Sequence, residues 1–246
     1  MLKISQRAVF MRQSFCTPTE VNVQTQQYVD RSLNYIGIPT SSTSPSTWST
    51  RKTAITASES QSGSTYVKVL NKVVKTGSKR HNLKVTNTTK KAWNNKFMTD
   101  YLGISVTEEV ARSFTLYVTD DSGQAIDWTG YVSFWDLDWG GTVDYKEQIS
   151  IPTSSIVEKV RQGSKVTTTT NGSMTEIRGT SCSTDEKAPR DYGDEGIVLK
   201  IHIPTSGMAL QTKSSKGAYI KYAMLSEIMN LANLKDGTSG WETYGS

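Results

Sequence analysis

SFTLYVT, residues 113–119, decides the fold class. Phe114, Leu116 and Val118 fall on one side of an extended chain, and Ser113, Thr115, Tyr117 and Thr119 fall on the other. Alternation with a period of two marks a strand with one face in a core. The DDSG that follows, 120–123, supplies turn residues. Working outward, TYVKVLNKVV (65–74) and NLKVTNTT (82–89) are β-branched and partly alternating. GYVSFWDLD (130–138), TVDYKEQISIP (142–152) and KVTTTT (165–170) continue the pattern. In GIVLKIHIP (196–204), Ile197, Leu199, Ile201 and Ile203 form one apolar face. Short strands at this spacing, punctuated by Gly, Asn, Asp and Pro, predict an all-β protein with an antiparallel β-sandwich over residues 65–210. Phe114, Leu116, Phe134, Ile197, Leu199 and Ile201 are its expected core.

The flanks read differently. Residues 1–64 form a polar lead-in. Val29, Leu33 and Ile36 stand at helical spacing before Gly37, which predicts a short helix ending there. The Ser/Thr-rich stretch 38–64 lacks the apolar side chains to fold alone, so it reads as an extended arm lying on a neighbour. In residues 211–246, Ile220, Met224, Ile228 and Leu231 line one helical face with Gly237 at a C-cap position, predicting a helix over 218–235 and a polar tail. Ile-Pro-Thr-Ser recurs at Ile38, Ile151 and Ile203 with unequal gaps, which excludes a solenoid; proline ends a strand and Thr-Ser turns the chain.

Composition narrows the classes. The chain has 246 residues and a net charge of +5, with a mean hydropathy of −0.46. A chain of this size hides roughly 70% of its unfolded surface, enough for a sizeable core. The basic clusters at 75–84 and 90–96 are broken by polar residues, so no nucleic-acid partner is expected. No apolar run reaches the roughly 20 residues that span a membrane. Residues 1–15 lack the apolar run of roughly 7–15 residues that a secretory signal carries, so export by the usual route is not expected. Cys16 and Cys182 stand in unrelated contexts and read as free thiols.

The chemistry-bearing stretch is WTGYVSFWDLDWGGTVDY, residues 128–145, which holds three of the six tryptophans. Catalysis fits poorly: the only histidines are His81 and His202, and no GxSxG, HExxH or phosphate loop occurs. His202 alternates with the apolar face of its strand and is expected at the surface. Asp136, Asp138 or Asp144 with Glu147 could form a glycosidase pair, but no spacing demands it. No catalytic site is expected. Asp136 and Asp138, with Asp144 or the Asp120-Asp121 pair approaching across a turn, are the candidate ligands for calcium, which takes roughly 6–8 oxygens; no other cofactor is expected. Trp128, Trp135, Trp139 and Tyr145 stand near one another in sequence as a candidate glycan platform, and Trp135, Trp139 and Tyr145 are the candidate contact residues for a glycan or a partner. If Phe134 is core, strict alternation buries Asp136 and exposes Leu137. A bulge near Trp135 and Asp136 would put Leu137 inside and Asp136 at the rim, facing the amides of Gly140 and Gly141.

This stretch, with the strand and turn before it, resembles a β-sandwich module that recurs in surface proteins of Gram-positive bacteria. The module runs from a strand through an Asp/Gly turn into a strand with a Phe-x-Asp-hydrophobic-Asp signature and a Gly-rich turn. Gly130, Phe134, Asp136, Leu137, Asp138, Gly140 and Gly141 match it. LKVTNTTKK (83–91) and GIVLKIHIP are similar to an earlier and a late strand of the module, so the resemblance spans residues 65–210. The chain departs from such adhesins in showing neither a signal peptide nor a sortase motif. Virion proteins leave the host by lysis and carry extended polar arms. The resemblance therefore implies a non-enzymatic structural protein of a bacteriophage virion, in its tail, neck or head surface. Its partners would be other virion subunits, copies of itself included, or the cell-wall glycan of a Gram-positive host. The alternative is a bacterial cell-surface adhesin or glycan-binding module. Insertion into a membrane is not expected.

Overall fold

A computed structural model of the chain describes residues 34–36, 57–87, 103–106, 112–135, 137, 148–180, 196–213 and 220–224. These residues are mostly strand, and no α-helix occurs among them. Every pairing between strands is antiparallel.

The larger sheet has nine strands. It runs from β1 (Ala57–Ser62) through β2 (Thr65–Thr76), β3 (Lys79–Asn87), β5 (Arg112–Thr119), β13 (Met208–Lys213), β8 (Gln148–Pro152) and β11 (Met174–Gly179) to β10 (Val166–Asn171), with β6 (Ala125–Ile126) paired to β5. The smaller sheet has five strands, in the order β4 (Gly103–Val106), β14 (Ile220–Met224), β7 (Trp128–Trp135), β12 (Ile197–Ile203) and β9 (Ile156–Gln162). One buried apolar cluster draws on both sheets: Leu70, Val85, Leu116 and Leu210 come from the larger, Val132, Phe134, Leu199 and Ile201 from the smaller. The six residues expected in the core from alternation are all buried in it.

Local chemistry explains the hairpins. Three two-residue loops read Gly-Ser: Gly63-Ser64 between β1 and β2, Gly77-Ser78 between β2 and β3, and Gly172-Ser173 between β10 and β11. Their glycines have φ of 60°, 56° and 60°. A positive φ at the first loop position alone is the type II′ turn, whose twist matches that of paired strands and which favours glycine there.

The hairpin β2–β3 is not regular. Leu70 pairs with Leu83, but the next pair is Val74 with His81, so β2 carries extra residues in between. Lys72 sits in this bulge with φ 59°. Its N–H donates to Asn82 Oδ1 at 3.0 Å, and its carbonyl accepts from Arg80 at 3.2 Å. The bulge lets the adjacent Val73 and Val74 both be fully buried, which alternation forbids.

Beside the bulge, Asn34–Ile36 runs between the two sheets. Tyr35 makes a parallel bridge to Tyr131 of β7, and Ile36 an antiparallel bridge to Val74 of β2. Tyr131 N–H donates to Asn34 O at 2.8 Å, Ile36 N–H to Tyr131 O at 3.0 Å, and Lys75 N–H to Tyr35 O at 2.7 Å. This tripeptide stitches the sheets together by backbone hydrogen bonds. The helix expected to end at Gly37 is therefore incorrect at Tyr35 and Ile36. Their backbone groups bond laterally to two strands, and a helix would turn those groups back along its own axis. Residues 1–33 lie outside the described residues.

The C-terminal helix expected over 218–235 also needs correction, because residues 220–224 are strand β14. Ile220, Met224 and Ile228 fit a helical period, but Ile220, Tyr222 and Met224 also fit a period of two. Pairing decides between them: Ile220 to Ala223 pair with β4, and Ala223 and Met224 pair with Trp135 and Phe134 of β7. A strand there satisfies the backbone of both neighbours. Residues 225–246 lie outside the described residues. In the stretch read as an arm, β1 pairs along its whole length with β2.

Candidate functional site

The stretch 128–145 is scaffold wherever it is described. Trp128 is 3% exposed and donates from Nε1 to Lys75 O of the larger sheet at 3.3 Å. Its indole covers Gly130. A Cβ at Gly130 would lie 2.4 Å from that ring and 2.6 Å from Asn34 O, so only glycine lets the stitching tripeptide approach β7. Tyr131 is also buried, with the Lys200 ammonium 5.6 Å from its ring centre. Phe134 and Leu137 both reach the core although they stand three residues apart, so alternation breaks between them. The side chains of Trp135, Asp136, Asp138, Trp139 and Tyr145, the expected contact and calcium residues, lie outside the described residues, as do Asp144, Glu147, Cys16 and Cys182.

The acidic side chains that are described near this stretch have local work. Asp120 Oδ1 accepts from Ser122 Oγ at 2.7 Å and from the N–H of Ser122 and Gln124 at 2.9 Å each. These bonds, that of the Ser122 hydroxyl foremost, hold its carboxyl below the usual carboxylate range. Asp121 pairs with Lys72 of the bulge, and Asn82 donates to Asp120 O at 3.3 Å. The turn after β5 is thus docked onto the bulge of β2. Asp127 takes His202 Nε2 at 2.9 and 3.0 Å on its two oxygens. His202 is partly exposed, as expected from its alternation. No group of three His, Cys, Asp or Glu placed to hold a metal occurs among the described residues.

The most developed polar arrangement lies elsewhere, on the outward face of the larger sheet. Register places Gln148 and Ser150 of β8 beside Arg178 and Glu176 of β11. Asn171 donates to Glu176 Oε1 at 3.0 Å, and Arg178 donates to Glu176 Oε2 at 2.9 Å and to Gln148 Oε1 at 2.6 Å. Gln148 Nε2 in turn donates to Ser150 Oγ at 3.1 Å. This ladder borders an open depression of about 260 Å³ that Met174 and Gln211 also line. Gln148 and Ser150 are 8% and 5% exposed, so the ladder satisfies polar groups that the sheet face has largely covered. The partners come from the β10–β11 hairpin and from β8, which is distant from it in sequence, so nothing local in the chain announces the whole ladder. Its charges and amides are mutually satisfied, which suits a rigid polar contact face.

The fold and this face together define an antiparallel, mostly-β protein with a polar outward sheet face. No family model matches the chain, and no curated protein matches it in sequence.

Proposed function

We propose that the two sheets pack as an antiparallel β-sandwich and that the chain is a non-enzymatic structural protein of a bacteriophage virion. It belongs to a tail, neck or head surface and contacts other subunits or the envelope of a Gram-positive host. The observation that carries this reading is how the described side chains in and around the signature stretch are used. Trp128, Phe134 and Leu137 are core, Asp120 organises a turn, Asp121 meets Lys72, and Asp127 meets His202. The described chemistry-bearing side chains there are tied into structural bonds, and the outward face of the larger sheet carries Lys84, Thr86, Thr115, Thr167, Thr169 and Gln211. A non-obligate interface is only about as apolar as the rest of a protein surface, so a polar face of this kind is compatible with contact between subunits.

The test is mass spectrometry of density-purified particles from the source culture. The reading expects the chain in the particle fraction with capsid and tail proteins, and in stoichiometric rather than trace amount. Recovery with host cell walls, and absence from particles, would replace it with the adhesin. Turnover of cell-wall polysaccharide that is lost in folded Asp136→Asn and Asp138→Asn variants would overturn the non-enzymatic part.

A further inference from the structure

Open sheet edges are templates for another strand, and proteins blunt them with charge, bulges, proline or shortness. Among the described residues, five strands pair on one side only: β1, β6 and β10 in the larger sheet, β4 and β9 in the smaller. Four of them are blunted or short, β6 having only two residues. β1 carries Glu59, which meets Lys68 at 2.7 Å. β9 carries Glu158 and Lys159, and its pairing shifts register twice. β4 has only four residues. β10 differs. Its sequence VTTTTN has no charge and no proline, its register with β11 is unbroken, and Thr167, Thr169, Thr170 and Asn171 are exposed.

Hydrogen-bond parity shows which groups of β10 face outward. Asn171 and Met174 flank a two-residue loop, so they exchange both backbone bonds, and the bonded positions recur at every second residue. Thr169 and Thr167 therefore bond to β11, and the same series continues to the Thr180 N–H bond to Lys165 O at 2.7 Å. The N–H and C=O of Val166, Thr168 and Thr170 point away from the sheet. Val166 is already satisfied: its N–H donates to Gly163 O at 3.1 Å and its carbonyl accepts from Gln162 Nε2 at 2.5 Å. Gln162 also accepts from the Thr168 hydroxyl at 3.2 Å, which closes the start of the strand. The backbone groups of Thr168 and Thr170 remain open among the described residues.

We infer that β10 is a self-pairing edge that joins two copies of this chain antiparallel across a twofold axis at Thr169. In that register Thr168 lies opposite Thr170 of the second copy, Thr170 opposite its Thr168, and Thr167 opposite its Asn171. Each open N–H and C=O then finds its complement. Every cross-strand pair is Thr with Thr or Thr with Asn, which favours pairing and opposes no like charges. A copy of the same strand is the partner that such an uncharged edge fits, because a twofold places each strand against its own sequence and would set any charge at its centre against itself. A contact one strand wide is small, so the isolated dimer is weak and depends on concentration; subunits held together in an assembly pair at high effective concentration. The inference takes its biological setting from the assembly reading. It is measured on the isolated chain, so its failure leaves the particle test untouched.

Sedimentation equilibrium of the full chain tests it. The wild type should move from monomer toward dimer mass as concentration rises. Thr169→Lys and Thr169→Glu should each stay monomeric, and their equimolar mixture should regain the dimer. Thr170→Pro should abolish association with the thermal midpoint unchanged, because the N–H it removes points away from β11. A wild type that stays monomeric up to its solubility limit would overturn the proposal. So would a dimer that survives Thr170→Pro and both charge variants, or a mixture that remains monomeric.

Discussion

Two hairpins of the larger sheet, β2–β3 and β10–β11, turn on the same Gly-Ser dipeptide, yet they end in opposite situations. β10–β11 is regular, and among the described residues its outer strand pairs on one side only. β2–β3 is bulged at Lys72, and beyond the bulge β2 is covered by Asn34–Ile36. That tripeptide brings Tyr35 into the interior at 1% exposure, with its hydroxyl accepting from Arg80 at 3.2 Å and the Lys75 and Arg80 cations each 5.7 Å from its ring centre. The turn chemistry sets how a hairpin closes. Whether its outer strand becomes an interior element or an edge depends on what runs alongside.

This comparison gives graded expectations. The largest effect belongs to the core that both regions share. Phe134→Ala should cost about 3–5 kcal/mol in chemical unfolding, since Phe134 is 1% exposed in the cluster drawn from both sheets. A loss under about 1 kcal/mol would mean that the two sheets do not share that core.

Next comes the stitched end. Gly130→Ala should cost about 1–3 kcal/mol, because the new methyl meets a backbone carbonyl and an indole that cannot both withdraw. Hydrogen exchange should then accelerate at Ile36, Lys75 and Tyr131, whose amides form the stitch. Unchanged exchange there would separate the strap from β7 and break the comparison.

The free hairpin should be more forgiving. At Gly172 a Cβ would meet nothing within 4 Å, so Gly172→Ala carries only the strain of its positive φ, about 1 kcal/mol. A cost equal to that of Gly130→Ala would mean that β10–β11 is packed as tightly as the stitched end.

The smallest effect is the pH dependence of the Asp120 turn. Its carboxyl is held below the usual range, so its contribution to stability is complete above the ordinary carboxylate pKa and is lost as pH falls through the lowered value. Protection of the Ser122 and Gln124 amides, corrected for the intrinsic slowing of exchange in acid, should fall on acidification before the strands open. Asp120→Asn should remove that pH dependence while keeping the turn.

Alternation alone made the strands around Phe114, Phe134 and Ile197 legible, because a sheet with one buried face writes its period into the chain. The same rule failed at Val73 and Val74, where the bulge buries neighbours, and between Phe134 and Leu137, where a break in alternation is needed to keep Leu137 inside. It was ambiguous at Ile220–Met224, which satisfies both periods until β4 and β7 offer their edges. The polar ladder of Gln148, Arg178 and Glu176 was illegible, since register across distant strands assembles it.

By itself the sequence determined that this protein is mostly β, where its principal strands run, and which apolar residues enter its core. These follow from local sterics and from the hydrophobic period of each segment. Only the tertiary structure decided that Tyr35 and Ile36 bind two sheets together, that Gly130 must be glycine, and that β10 stands at an edge among the described residues. Those outcomes depend on which backbone hydrogen bonds remain open once the strands have paired, and no single segment carries that information.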